Sequence, residues 1–226
     1  MTTIAANLQA VRARIAAACI AAGRPVAAVQ LLAVSKTWPA ASVREAIAAG
    51  QRAFGENYVQ EAIDKKTELV GLDLEWHFIG PLQSNKTRLV AENFAWVHSV
   101  DRLKIAERLS SQRPPDMAPL QICLQVNVSG EASKSGCLPA ETASLARAVA
   151  ALPGLRLRGL MAIPEPSDDP TRQREPLAAL RRLRDSLPME LDTLSMGMSH
   201  DLEAAIMEGS TLLRIGTAIF GERQYP

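Results

Sequence analysis

The stretch Gln30-Leu31-Leu32-Ala33-Val34-Ser35-Lys36-Thr37 decides the architecture. Its apolar run is too short for a helix and breaks into a polar triplet, so it reads as a buried strand over residues 30–34 with Ser35, Lys36 and Thr37 at its carboxyl end. An Ala-rich helix over residues 4–22 precedes it. A helix over 41–49, stopped by Gly50, follows. The same alternation then repeats. Strands are expected at 52–54, 76–79, 95–98, 120–128, 155–160, 193–195 and 212–215. Helices are expected at 58–69, 84–92, 101–109, 138–151, 171–187 and 199–208. Strict β/α alternation demands a parallel sheet with right-handed crossovers. Eight such units in about 200 residues favour closure over an open sheet with long edges. The absence of a Gly-rich fingerprint after the first strand weakens the open, doubly wound alternative. The fold class expected is therefore α/β, a single (β/α)8 TIM barrel with an extra N-terminal helix, forming one domain over residues 1–226.

Composition agrees and excludes several functions. With 226 residues and 47% apolar content the chain can bury a large core. A net charge of +1 and 4% aromatic residues give no electrostatic footprint or stacking platform for nucleic acid. Cys19, Cys123 and Cys137 are odd in number and widely spaced. That argues against a disulfide framework or a zinc site and fits a reducing, cytoplasmic compartment. Arg12 and Arg14 precede an apolar stretch over 15–22, but it is short, mostly alanine and continuous with the helix, so it is not expected to be a signal peptide. No run is expected to reach the length of a membrane span. A monomer or weak homodimer is expected.

In a barrel the carboxyl ends of all strands converge on one face, where chemistry sits. The residues falling there are Lys36; Glu56 and Asn57; His77, Gly80 and Asn85; His98 and Ser99; Asn127 and Lys134; Met161; Ser195 to Ser199; and Arg214, Gly216 and Thr217. Lys36 has two readings. It could be a rim lysine paired to Glu56 or another acid, or a desolvated amine able to attack an aldehyde. Ser199 could cap the helix that follows it, or face an anion together with Gly197, Gly216 and Thr217, because loops after strands 7 and 8 commonly hold phosphate. Arg214 lies in an apolar strand, where a guanidinium needs an acceptor. That acceptor could be an inter-strand carboxylate or a ring nitrogen of a bound heterocycle. Lysine, anion cradle and arginine together are what pyridoxal 5′-phosphate (PLP) requires. The Arg-rich helix over 171–187 reads as a solvated outer face. His98 and His200 lack metal-ligand spacing.

Several long motifs carry a resemblance. Residues 32–37 (LAVSKT), 54–61 (FGENYVQE) and 76–86 (WHFIGPLQSNK) are similar to those of the pyridoxal phosphate homeostasis proteins, the YggS/PROSC family. So are Val126-Asn127-Val128 with residues 133–136 (SKSG), residues 195–199 (SMGMS) with Asp201, and residues 214–217 (RIGT) with Phe220-Gly221. The resemblance runs from Leu32 to Gly221. It implies a barrel like that of alanine racemase, lacking the racemase's C-terminal β domain. It also implies PLP held as a Schiff base on Lys36, its phosphate on Ser199, Gly216 and Thr217, and Arg214 facing the pyridine nitrogen. Asn57 and His77 would line the cofactor rim, and Lys134 could be a secondary lysine for aldehyde capture. The family's implied role is to store, buffer and deliver PLP, with PLP-dependent apo-enzymes as candidate recipients. The alternatives are a small PLP-dependent racemase or decarboxylase, and a sugar-phosphate barrel enzyme forming a Schiff base with its substrate. A racemase would need a tyrosine base, and neither Tyr58 nor Tyr225 stands in an evident base position.

Overall fold

Eight short strands hydrogen-bond in chain order: β1 (Gln30–Val34), β2 (Ala53–Glu56), β3 (Glu75–Phe78), β4 (Trp96–Val100), β5 (Leu120–Gln125), β6 (Leu155–Met161), β7 (Thr193–Ser195) and β8 (Leu212–Ile215). All pairs are parallel, and β8 pairs back onto β1 with Leu32 opposite Arg214, which closes the barrel the alternation predicts. This is a computed structural model, and it describes residues 3–130 and 135–222. Helices α1 (Ile4–Ala21), α2 (Ala40–Ala48), α3 (Val59–Glu68), α4 (Thr87–Asn93), α5 (Leu103–Gln112), α6 (Pro139–Ala150), α7 (Pro170–Ser186), α8 (Leu202–Met207) and α9 (Thr217–Phe220) surround it.

Period-two alternation sorts the side chains. The large apolar cluster, including Ala33, Phe54, Phe78, Val97, Leu124 and Ile215, lies between strands and helices. The alternate residues point into the barrel and form two smaller clusters. One is Leu32, Val34, Ala53, Ile79 and Leu212; the other is Trp96, Cys123 and Met161. Buried His77, His98, Ser195 and Arg214 share this interior. All three cysteines are free and buried.

Four expectations are corrected. β4 extends to Val100, so His98 and Ser99 lie within the strand and not beyond its end. α8 begins at Leu202 with Asp201 at its N-cap position, so Ser199 does not cap the helix that follows it. Gly197 at φ 96° turns the chain there, and Met198 N–H donates to Asp201 Oδ1 at 2.6 Å, which delays the helix. The Arg-rich helix is not wholly solvated: Arg174 and Arg181 both pair with Glu208, a buried acid at the C-cap of α8. Finally, α1 is long and apolar enough, by length and composition, to cross a membrane. In the fold it buries Leu8, Val11, Ile15, Ala18 and Cys19, and it packs along α2, α8 and α9.

Candidate functional site

The strand ends enclose a cavity of about 200 Å³ lined by Val34, Lys36, Asn57, Ile79, Ile163, Met198, Ser199, His200, Arg214, Gly216 and Thr217. Six of the seven residues singled out from the sequence therefore meet around one space: Lys36, Asn57, Ser199, Arg214, Gly216 and Thr217.

Lys36 sits on a braced turn. Ser35 N–H continues the ladder to Gly55 O at 3.0 Å. Thr37 has φ 69°, a left-handed conformation costly for a β-branched residue and found at no other non-glycine position among the described residues. The brace comes from α3. Lys65, only 4% exposed, donates to Ser35 O at 2.7 Å, to Glu56 Oε1 at 2.7 Å and to Glu61 Oε1 at 2.6 Å. Ser35 Oγ donates to the same Glu56 oxygen at 2.7 Å, and Thr37 N–H donates to Glu61 at 2.6 Å. The residues on both sides of Lys36 are thus tied to one ion cluster. Glu56, the acid considered as a partner for Lys36, is engaged by Lys65 and Ser35. Its Oε2 is buried without a hydrogen-bond partner. Burial raises its pKa to about 7, against the pull of Lys65 and Ser35.

Across the cavity, Ser199 Oγ accepts from Ala218 N–H at 3.2 Å and so joins the loop after β7 to the start of α9. The Ser199 carbonyl accepts from Arg14 of α1 at 3.2 Å, and Arg14 also pairs with Glu203 at 2.8 Å. Gly216 packs on Val34: an added Cβ would lie 3.3 Å from the Val34 carbonyl oxygen. Gly80 is required where β3 meets the Asn57 turn, since a Cβ there would come within 2.5 Å of the Asn57 oxygen. Arg214, 4% exposed, donates to Ser195 O at 2.5 Å, to Ser195 Oγ at 2.7 Å and to Ala162 O at 2.9 Å. These acceptors are neutral, and among the described residues Arg214 makes no ion pair. Burial lowers its pKa to about 10. The inter-strand carboxylate considered from the sequence is not there.

His77 is the exception. Its ring lies inside the barrel, fully buried, with Nε2 2.8 Å from Glu75 Oε1 and Nδ1 2.9 Å from His98 Nε2. Alternation along β3 gives the rim position to Ile79, two residues on, and sets His77 one layer deeper. Lys134 lies outside the described residues. The acidic loop over 164–168 lines a neighbouring cavity of about 330 Å³, and Met198 and His200 border both spaces. Among the described residues no cluster of three or more His, Cys, Asp or Glu could hold a metal. Sequence reasoning missed Lys65, because a helix lysine carries no mark of burial. It missed Ile163 and His200 because their loop positions have no periodicity.

Comparison with known proteins places this geometry. The family model described as "Alanine racemase, N-terminal domain" matches residues 4–224. The pyridoxal phosphate homeostasis protein of Pseudomonas aeruginosa is 66% identical over 100% of this chain and 98% of its own length. The structure of PipY from Synechococcus elongatus, determined with PLP bound, superposes with a TM-score of 0.85 at 39% identity, over 97% of this chain and 100% of that one. Alanine racemase from Corynebacterium glutamicum shares the fold, with a TM-score of 0.70 at 18% identity, over 96% of this chain and 62% of the racemase. By its match along nearly the whole length, the chain belongs to the family of pyridoxal phosphate homeostasis proteins, built on the alanine racemase N-terminal barrel.

Proposed function

We propose that the chain as a whole is one PLP-binding domain that stores, buffers and delivers the cofactor in the cytoplasm, without turning over amino acids. The convergence of Lys36, Arg214, Ser199 and Thr217 on one small cavity supports this reading. The residues present fit the group. Arg214 is a buried cation whose acceptors are all neutral, so an anion or a ring lone pair is welcome beside it. At about 200 Å³ the cavity is smaller than the usual ligand pocket, which runs from roughly 300 Å³ upward, and suits one compact ring.

When bound, PLP supplies an aldehyde that condenses reversibly with a primary amine to a Schiff base. Lys36 presents that amine from a turn fixed on both sides. Ser199, Gly216 and Thr217 bind the phosphate, and Asn57 lines the rim. Arg214 faces the ring nitrogen and, already cationic, disfavours a proton there, which weakens the ring as an electron sink. That favours holding over catalysis. Tyr58 is 57% exposed and does not line the cavity, so it offers no racemase-type base. PLP-dependent apo-enzymes are the proposed recipients.

The test is the visible spectrum of the purified protein before and after borohydride, with mass mapping of the reduced adduct. The expected result is a yellow protein with the adduct on Lys36 and none in Lys36→Ala. An adduct confined to another lysine would overturn the assignment. Racemisation or decarboxylation across an amino-acid panel, abolished by Lys36→Ala, would overturn the carrier role.

A further inference from the structure

Barrel interiors are ordinarily filled by layers of branched apolar side chains. Here a polar file crosses the interior instead. Glu75, at the amino end of β3 with its side chain 41% exposed, accepts at 2.8 Å from His77. His77 Nδ1 is 2.9 Å from His98 Nε2, and His98 Nδ1 is 2.7 Å from Ser195 Oγ. Ser195 Oγ is 2.7 Å from Arg214 Nη1, at the cavity on the opposite end of the barrel.

With both rings neutral, as their burial favours, the two ends fix the direction of every link. A guanidinium can only donate and a carboxylate can only accept. Ser195 Oγ therefore accepts from Arg214 and has its proton left for His98 Nδ1. His98 must then carry its proton on Nε2 and give it to Nδ1 of His77. His77 in turn carries its proton on Nε2, facing Glu75. Each neutral histidine is thereby held in one tautomer. Any reversal sets donor against donor, or a ring lone pair against the carboxylate. The surroundings agree. Burial lowers the pKa of His77, and burial, with the Arg214 cation nearby, lowers that of His98 further. Hydrogen bonds from His77, Gln30 and Trp96 hold Glu75 ionised. Trp96 also stacks on His77 at 5.3 Å, under the Arg158 guanidinium, which packs the amino end of the barrel around the file.

We propose that Glu75, His77, His98 and Ser195 are positioning residues for Arg214: a one-way file of hydrogen bonds that aims its guanidinium and transmits to it the pull of a carboxylate at the far end of the barrel. The inference rests on the reading of the cavity as a PLP site, and it assigns Glu75 an influence on the bound ring that it never touches.

Two measurements test it. In the cofactor-free protein, long-range proton–nitrogen spectra of the three histidines are expected to show His77 and His98 neutral and protonated on Nε2. A proton on Nδ1 of either ring, or a charged ring at neutral pH, overturns the file. In the loaded protein, Glu75→Leu is expected to move the ring-nitrogen signal of ¹⁵N-labelled PLP and to speed PLP release by about three- to tenfold, the worth of one hydrogen bond. Ser195→Ala acts in the same sense, and Glu75→Gln, whose carbonyl still accepts, gives a smaller change. A ring-nitrogen signal and release rate unaltered in Glu75→Leu overturn the proposal even if PLP sits on Lys36. Should no adduct form on Lys36, the PLP reading fails while the histidine tautomers still judge the file.

Discussion

Lys65 spends all three ammonium protons on Ser35, Glu56 and Glu61, and so holds the backbone on either side of Lys36. Lys65→Met would strand Glu56 as an uncompensated buried acid, at a cost of about 3–5 kcal/mol. Urea unfolding measures that loss, and PLP retention at matched folded fraction should fall with it. Glu56 itself gives a pH signature. Its pKa rises from an ordinary 4.5 to about 7 in the fold. The folded chain thus binds a proton through this window that the unfolded chain has released. Glu56 therefore adds stability at acid pH that is lost as pH rises through about 7. The stability gap between the parent and Glu56→Gln should shrink by up to about 3 kcal/mol from pH 5 to pH 8. A gap that widens instead would contradict the assignment. At this scale the sequence was partly legible. Lys36, Arg214 and Ser199 stood out because strand ends are marked by where apolar runs stop. Lys65 did not stand out, because its burial comes from a turn thirty residues away folding onto it. His77 was misplaced because one step of the β3 register separates rim from interior.

The elements carrying the site are short, and glycines decide how they join. Gly197 at φ 96° lies where a Cβ would meet Ala205 at 2.5 Å and Leu213 at 2.6 Å. Its turn sends the chain to Ser199 before α8 can begin. Gly197→Ala should cost about 2–3 kcal/mol through backbone strain and overpacking. It should also loosen phosphate-side retention, read as faster PLP release with Lys36 still reactive. Gly159 is tighter still, since an added Cβ would lie 1.7 Å from the Thr193 oxygen. Strand and helix order followed from hydrophobic periodicity. The missed boundaries, at β4, at the end of β5 (expected to reach residue 128, it stops at Gln125) and at the start of α8, fall where a buried polar residue or a side-chain turn outweighs local propensity.

At the scale of the whole molecule, α1 behaves as part of the barrel. It buries three large aliphatic residues, Leu8, Val11 and Ile15, worth roughly 5–9 kcal/mol in a fold whose total stability is of the order of 5–15 kcal/mol. Asn7 donates to Ile219 O at 2.9 Å, and Arg24 reaches Ile206 O and Ser210 O at 2.7 Å each, so the N-terminal segment ties down the elements that carry the anion side. Deleting the helix should abolish cooperative thermal unfolding by circular dichroism. Closure itself was legible, because eight alternating units leave few other ways to pair every strand edge. The burial of the three thiols has a consequence for what such a chain can safely carry. Aldehydes add to thiolates as well as to amines, and burial pushes Cys123 up to about 12 and raises Cys137. A container whose sulfurs are all enclosed does not compete with its own lysine for an electrophilic cargo. Ellman's reagent should accordingly find no accessible thiol in the native protein and three once it is unfolded.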